Sequence, residues 1–169
     1  MRATTLLNRL LDLPGLDVSG VSLDGRRMLV EVRLRARRLA CPLCPFTTRA
    51  RYDTRPEPSW WRGLDFGTAP VIVRANLRRL DCPTHGVLVE AVPFARHRTR
   101  FTRDFEDLTA FLTTRTDKTT IARFVRVDWD TIGRICQRVV ATDLDDSRLD
   151  GLVTIGVDEI SWRKHHKYL

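Results

Sequence analysis

Two short phrases in the chain end in side chains that bind metals. Cys41-x2-Cys44 and Cys82-x2-His85 each place two donors on one tight turn, the spacing at which two ligands reach the same ion. The phrases themselves are repeated. VEVRLRARRLACPLC from Val30 and VIVRANLRRLDCPTH from Val71 align without a gap, matching Val30/Val71, Val32/Val73, Arg33/Arg74, Arg37/Arg78, Arg38/Arg79, Leu39/Leu80, Cys41/Cys82 and Pro42/Pro83. Equivalent strands with both turns facing one ion explain this repeat, and a Cys3His set closes a tetrahedron with no position left for water or substrate. The expected cofactor is therefore structural Zn2+. A redox Cys-x-x-Cys is the competing reading, but the chain lacks the βαβ context of a redox fold and the repeat would go unexplained. Gly86 suits a turn of positive φ after the second pair, whereas Pro45 in the matching place has no N–H to offer a sulfur.

A second group of residues has the chemistry of nucleic-acid contact. On a helix beginning at Asp128, Ile132, Ile135, Cys136 and Val139 fall within roughly 100° of arc. Asp130, Thr131, Arg134, Gln137 and Arg138 take the other side. Arg134 is the best candidate for a bidentate guanine contact, with Thr131 and Arg138 beside it. Lys118 and Thr119 open the preceding short helix, and Arg96, Arg98 and Arg100 lie in a basic connector suited to phosphates. The competing reading is an ordinary three-helix bundle with a polar outer face. Near the end of the chain, GLVTIGVDEI reads as an apolar strand that delivers Asp158, followed by Glu159, as a nuclease fold presents a carboxylate to Mg2+ or Mn2+.

The elements that must position these groups follow from periodicity. Leu6, Leu7, Leu10 and Leu11 predict an amphipathic helix over Thr5 to Leu13, ended by Pro14-Gly15. Alternation at Val30, Val32, Leu34 and Ala36, and at Val71, Val73, Ala75 and Leu77, predicts one strand per repeat running directly into its Cys-Pro turn. Between them lies a polar stretch read as loop. Trp60 and Trp61 within it could stack on RNA bases, but core packing is the favoured reading. A further strand is expected at Val87 to Val92. Phe105, Leu108, Phe111 and Leu112 predict a helix face, with Thr102 as N-cap and Asp104 and Glu106 in the first turn, where the helix dipole favours them. Ile121, Phe124 and Val125 mark a second helix, Asp128 opens a third, and Asp143, Asp145, Asp146 and Asp150 read as a solvated linker. The fold class is α+β: a β-rich, zinc-ribbon-like module with an N-terminal helix over residues 1–100, a helix-turn-helix segment over 101–148, and the first strand of an incomplete RNase H-like domain over 149–169.

Charge separates the same regions. Residues 1–103 hold 19 basic and 9 acidic residues, whereas 104–169 hold 10 and 12. The surplus favours a polyanionic partner, although so strong an arginine bias also fits GC-rich codons. The sequence has no apolar run of membrane-spanning length and its opening is unlike a signal peptide, so a cytoplasmic, nucleoid-associated protein is expected.

The order of these parts resembles the N-terminal part of DDE-type insertion-sequence transposases of the ISL-three branch. The resemblance rests on the Cys/His module, VPFARHRTRFTRDFEDLTAFL, DKTTIARFVRVDWDTIGRIC and IGVDEISWRKHHKY. It implies that Cys41, Cys44, Cys82 and His85 are zinc ligands and that the helices bind terminal inverted repeats of double-stranded DNA. It also implies that Asp158 is the first acidic residue of a catalytic triad. With no second or third carboxylate, the chain is expected to bind DNA but not to cut or join it, and Mg2+ or Mn2+ would serve only a complete parent enzyme. A homodimer is left open. The alternative is a stand-alone zinc-ribbon/helix-turn-helix transcriptional regulator.

Overall fold

The computed structural model describes residues 3–145, 147 and 150–154. Helix α1 (Ala3–Leu11) leads into β1 (Leu16–Asp24) and β2 (Arg27–Leu34), an antiparallel hairpin with a bulge between Val18 and Gly20. The short strands β3 (Leu39–Ala40), β4 (Thr47–Thr48) and β5 (Asp53–Thr54) follow, then β6 (Ser59–Arg62), β7 (Val71–Ala75), β8 (Arg78–Cys82) and β9 (Gly86–Val89). Helices α2 (Arg103–Thr113), α3 (Lys118–Val125) and α4 (Trp129–Asp143) complete the described fold.

The main sheet has the order β1-β2-β7-β6. The two repeats meet in it as the parallel pair β2 and β7, with Val30 opposite Val73 and Val32 opposite Ala75. The sequence repeat would place Val30 against Val71. The structural register is thus slipped by two residues, which keeps every side chain on its own face because the strand period is two. Val30, Val32, Val71, Val73 and Ala75 are buried on one face with Leu7 of α1, Trp61 and Phe94. Trp61 meets Phe94 edge to face at 4.9 Å.

Neither repeat forms one continuous strand. The chain leaves the main sheet after Leu34 and again after Ala75, and resumes as β3 and β8 in separate small sheets. The departure follows from two incompatible demands, since Val30 and Val73 must face the main core while Leu39 and Leu80 fill a second one with Cys41 and Cys82. The stretch read as loop contains β4, β5 and β6, and β6 closes the edge of the main sheet.

The helical face on α2 also differs from expectation. Phe105, Glu106 and Thr109 are buried, whereas Leu108 and Phe111 are exposed, as is Phe124 on α3. The core here is Phe105, Ile121, Val125, Ile132 and Ile135, so the expected α4 stripe is present. Thr102 and Asp117 cap α2 and α3 by accepting from the N–H groups of Phe105 and Thr120. Asp143 is the last residue of α4 rather than part of a linker. Residues 152–154 form no strand, and the rest of the expected RNase H-like strand, including Asp158, lies outside the described residues.

Candidate metal centre and nucleic-acid interface

Each candidate metal-binding turn sits in a small hairpin. Leu39 pairs with Thr48 across β3 and β4, and Cys82 pairs with Gly86 across β8 and β9. The Leu43 N–H donates to Cys41 Sγ at 3.4 Å, and the Cys41 N–H donates to the Phe46 carbonyl at 2.9 Å. In the second turn the His85 N–H donates to the Cys82 carbonyl at 3.2 Å, and Gly86 takes φ +68. An added Cβ at Gly86 would meet nothing within 4 Å, so the demand for glycine there is conformational.

The ligand atoms of Cys41, Cys44, Cys82 and His85 all lie within 4.8 Å of one another. Cys44 Sγ is 3.6 Å from Cys82 Sγ, and His85 Nδ1 is 3.5 Å from Cys82 Sγ and 3.7 Å from Cys41 Sγ. A tetrahedron with metal–sulfur bonds of about 2.3 Å has sulfur–sulfur edges of about 3.8 Å, so the set already has the size of a closed four-ligand site. Burial pushes the Cys82 thiol up, but hydrogen bonds from His85 and from the Thr84 and His85 backbone outweigh it and hold the group at about 6. At Cys44 a bond from the Phe46 backbone lowers the thiol, and burial with the Cys41 and Cys82 sulfurs raises it above its ordinary value. The group could hold a metal ion.

The repeated arginines have divided roles. In the second copy Arg74 pairs with Glu31, Arg78 with the buried Glu90, and Arg79 with Asp53. Arg78 also donates to the Ala36 carbonyl at 3.0 Å, tying the two repeats together where the first has left the sheet. In the first copy Arg38 bonds Thr47. Four of the six repeated arginines are therefore spent on holding the fold.

On the helices, Arg134 is exposed and donates to Thr131 Oγ1 at 3.1 Å, which presents both from one turn of α4. Asp130 and Thr119 are exposed. Lys118 Nζ, at the start of α3, lies 4.0 Å from the ring centroid of Trp129 at the start of α4. Two expected contacts are redirected inward. Arg96 is buried, its side chain 2% exposed, and pairs with Glu106, Asp107 and Asp143. Arg138 pairs with the same Glu106, whose side chain is 0% exposed. Thr99 Oγ1 donates to that carboxylate at 2.6 Å and Arg138 Nε at 2.9 Å. Arg96 is thus corrected from a phosphate contact to the centre of a buried ion network joining the connector to α2 and α4, because a buried guanidinium without carboxylates would be far too costly. Arg98 and Arg100 remain exposed.

Sequence reasoning missed Glu106 as a core residue. The available signal was its place between buried Phe105 and Thr109, on the inner side of α2. It also missed Arg126, which ends α3 in the left-handed region at φ 57. That conformation costs a non-glycine residue roughly 1–2 kcal/mol. The Arg126 side chain pairs with Asp65, which also pairs with Arg62 of β6. Arg62 in turn bonds the Arg100 carbonyl through its N–H at 2.7 Å and lies over the Phe105 ring at 5.4 Å. The turn between α3 and α4 is thereby fastened to the main sheet.

Residues 90–140 match the helix-turn-helix domain of transposase family ISL3. Over 148 residues the chain is 40% identical to the transposase for insertion sequence element IS1557 from Mycobacterium tuberculosis strain CDC 1551 / Oshkosh, and equally to that from strain ATCC 25618 / H37Rv. The match covers 86% of this chain and 33% of each relative, so the chain spans about a third of the length of the curated relatives it matches. No solved structure matches it.

Proposed function

We propose the following function for this chain, which is part of an ISL3-type transposase: it is the N-terminal portion that binds double-stranded DNA at the terminal inverted repeats of an insertion sequence. The observation that carries the reading is the coincidence of the family match over residues 90–140 with α2, α3 and α4, on which Arg134 stands exposed beside half-buried Thr131. Arg134 and Thr131 read base edges, with Asp130, Lys118 and Thr119 around them, and Arg98 and Arg100 hold phosphates. Arg138 supports α4 through Glu106.

The Cys3His group holds structural zinc, supported by four ligand atoms within 4.8 Å and by a donor set that leaves no open position. Residues 1–100, 101–148 and 149–169 act as metal module, helix-turn-helix and start of a DDE catalytic domain. Asp158 would be that domain's first metal-binding carboxylate, serving Mg2+ or Mn2+. A DNA target fits a cytoplasmic, nucleoid-associated location. No described helix is long and apolar enough to cross a membrane. Both relatives are named transposases, which disfavours a stand-alone regulator.

Fluorescence anisotropy with an inverted-repeat duplex and a scrambled duplex of equal length tests the reading. Tighter binding of the inverted repeat is expected, and equal affinity refutes specific recognition.

A further inference from the structure

The connector that links the metal module to the helices lines a cleft of about 620 Å³. Its lining includes Pro42, next to the candidate ligand Cys41, and Thr142 near the C-terminus of α4. Arg55, Arg98 and Arg100 line the same cleft. Among the described residues none of these three arginines pairs with a carboxylate. Arg55 donates to Ser59 Oγ at 3.2 Å, and Arg100 lies 5.0 Å over the ring of exposed Trp60. The contrast with Arg74, Arg78, Arg79 and Arg96, all paired, separates cations that hold the fold from cations left for a ligand.

The loop carrying Arg98 and Arg100 is fixed from beneath. Arg96 and Thr99 point inward to the buried Glu106, the Thr102 N–H donates to the Arg62 carbonyl at 2.9 Å, and Arg98 between these anchors is held at φ 58. That strained conformation persists because its surroundings over-determine it, which is how a loop is held in a binding geometry.

We infer that this cleft is a second DNA-contact surface, gripping the sugar-phosphate backbone beside the site read by α4. The inference rests on the DNA-binding reading above and adds a place and a distance to it. From Thr131 to Thr142 the helix rises about 16 Å, which along a duplex is about half a helical turn, or about 5 base pairs. The α4 N-terminal half and the cleft are thus placed to meet successive parts of one duplex.

The test uses the full chain and a duplex carrying the inverted repeat. In the triple variant Arg55→Gln, Arg98→Asn, Arg100→Gln, asparagine tolerates the left-handed backbone, and the glutamine that replaces Arg55 can still reach Ser59. Each lost phosphate contact flattens the slope of log affinity against log salt by about 0.9, so the triple variant should lose about 2 to 3 units of slope. A second arm needs no variant. The hydroxyl-radical footprint of the wild-type chain should extend asymmetrically, about 5 base pairs past the position at which Arg134→Ala relaxes sequence preference. A wild-type chain that binds the repeat with a symmetric footprint, or a triple variant with unchanged slope, overturns the cleft and leaves the function of α4 standing. A wild-type chain that binds no DNA overturns both.

Discussion

Removing the Glu106 carboxylate should destabilise the helical segment more than any surface substitution. This side chain is 0% exposed and receives Thr99 at 2.6 Å, Arg138 at 2.9 Å and Arg96 at 3.3 Å. The consequences for its partners differ. Arg138 is 27% exposed and can turn to water, whereas Arg96 is 2% exposed and cannot, although Asp107 and Asp143 still neutralise it. Glu106→Gln keeps one carbonyl oxygen for Thr99 and Arg138 but turns an amide donor toward Arg96, so a loss of about 2–3 kcal/mol is expected, below the roughly 3–5 kcal/mol of a fully broken buried pair. Glu106→Ala keeps no acceptor and leaves a gap, and should reach about 4–5 kcal/mol. With a urea slope of about 2 kcal/mol/M, the alanine variant should unfold at about 2 M less urea than wild type. Urea titration followed by far-ultraviolet circular dichroism measures both. A Glu106→Ala variant within about 1 kcal/mol of wild type would refute the claim that the network holds α2, α4 and the connector together.

Other perturbations separate the remaining roles. Cys82→Ser, or chelation of the metal, should unfold residues 30–92, since zinc binding of order 10–16 kcal/mol would supply most of a small module's stability; metal analysis and hydrogen exchange check this. Arg134→Ala should cost about 1–3 kcal/mol against the cognate base pair alone, read by anisotropy on single-position variants of the repeat. Arg126→Gly relieves a left-handed backbone worth roughly 1–2 kcal/mol and gives up a half-exposed ion pair worth about 0–1 kcal/mol, so its melting temperature should stay level or rise, while Arg126→Ala should lower it. The hydrogen bonds that Asp117 accepts from Thr120 hold its carboxyl below the ordinary 3.8. The stabilisation it gives is full above that value and is lost as pH falls through the lower folded one. Asp117→Ala should thus melt below wild type at pH 7, with the gap closing in strong acid.

The four candidate ligands were legible because their information is local. Two donors on one turn need only four residues, and a gapless repeat marks the two turns as equivalent. The α4 stripe was legible for a similar reason, since Ile132 and Ile135 obey the helix period wherever the helix packs. Periodicity failed where two faces competed. On α2 it favoured Leu108 and Phe111 over Glu106 and Thr109, because hydropathy cannot register that a carboxylate with two guanidinium partners is at home in a core.

By itself the sequence determined the candidate ligand set, the three helices with Thr102 capping the first, and the basic surplus of the first 103 residues. Only the tertiary structure decided which arginines are free. Arg96 and Arg98 are two residues apart in one basic connector, yet one is buried among three carboxylates and the other is exposed in a left-handed conformation. Composition counts them alike. Their charges act differently because a guanidinium's partners are chosen by distance in space, and Glu106, Asp107 and Asp143 come within reach of Arg96 only when α2 and α4 have packed together.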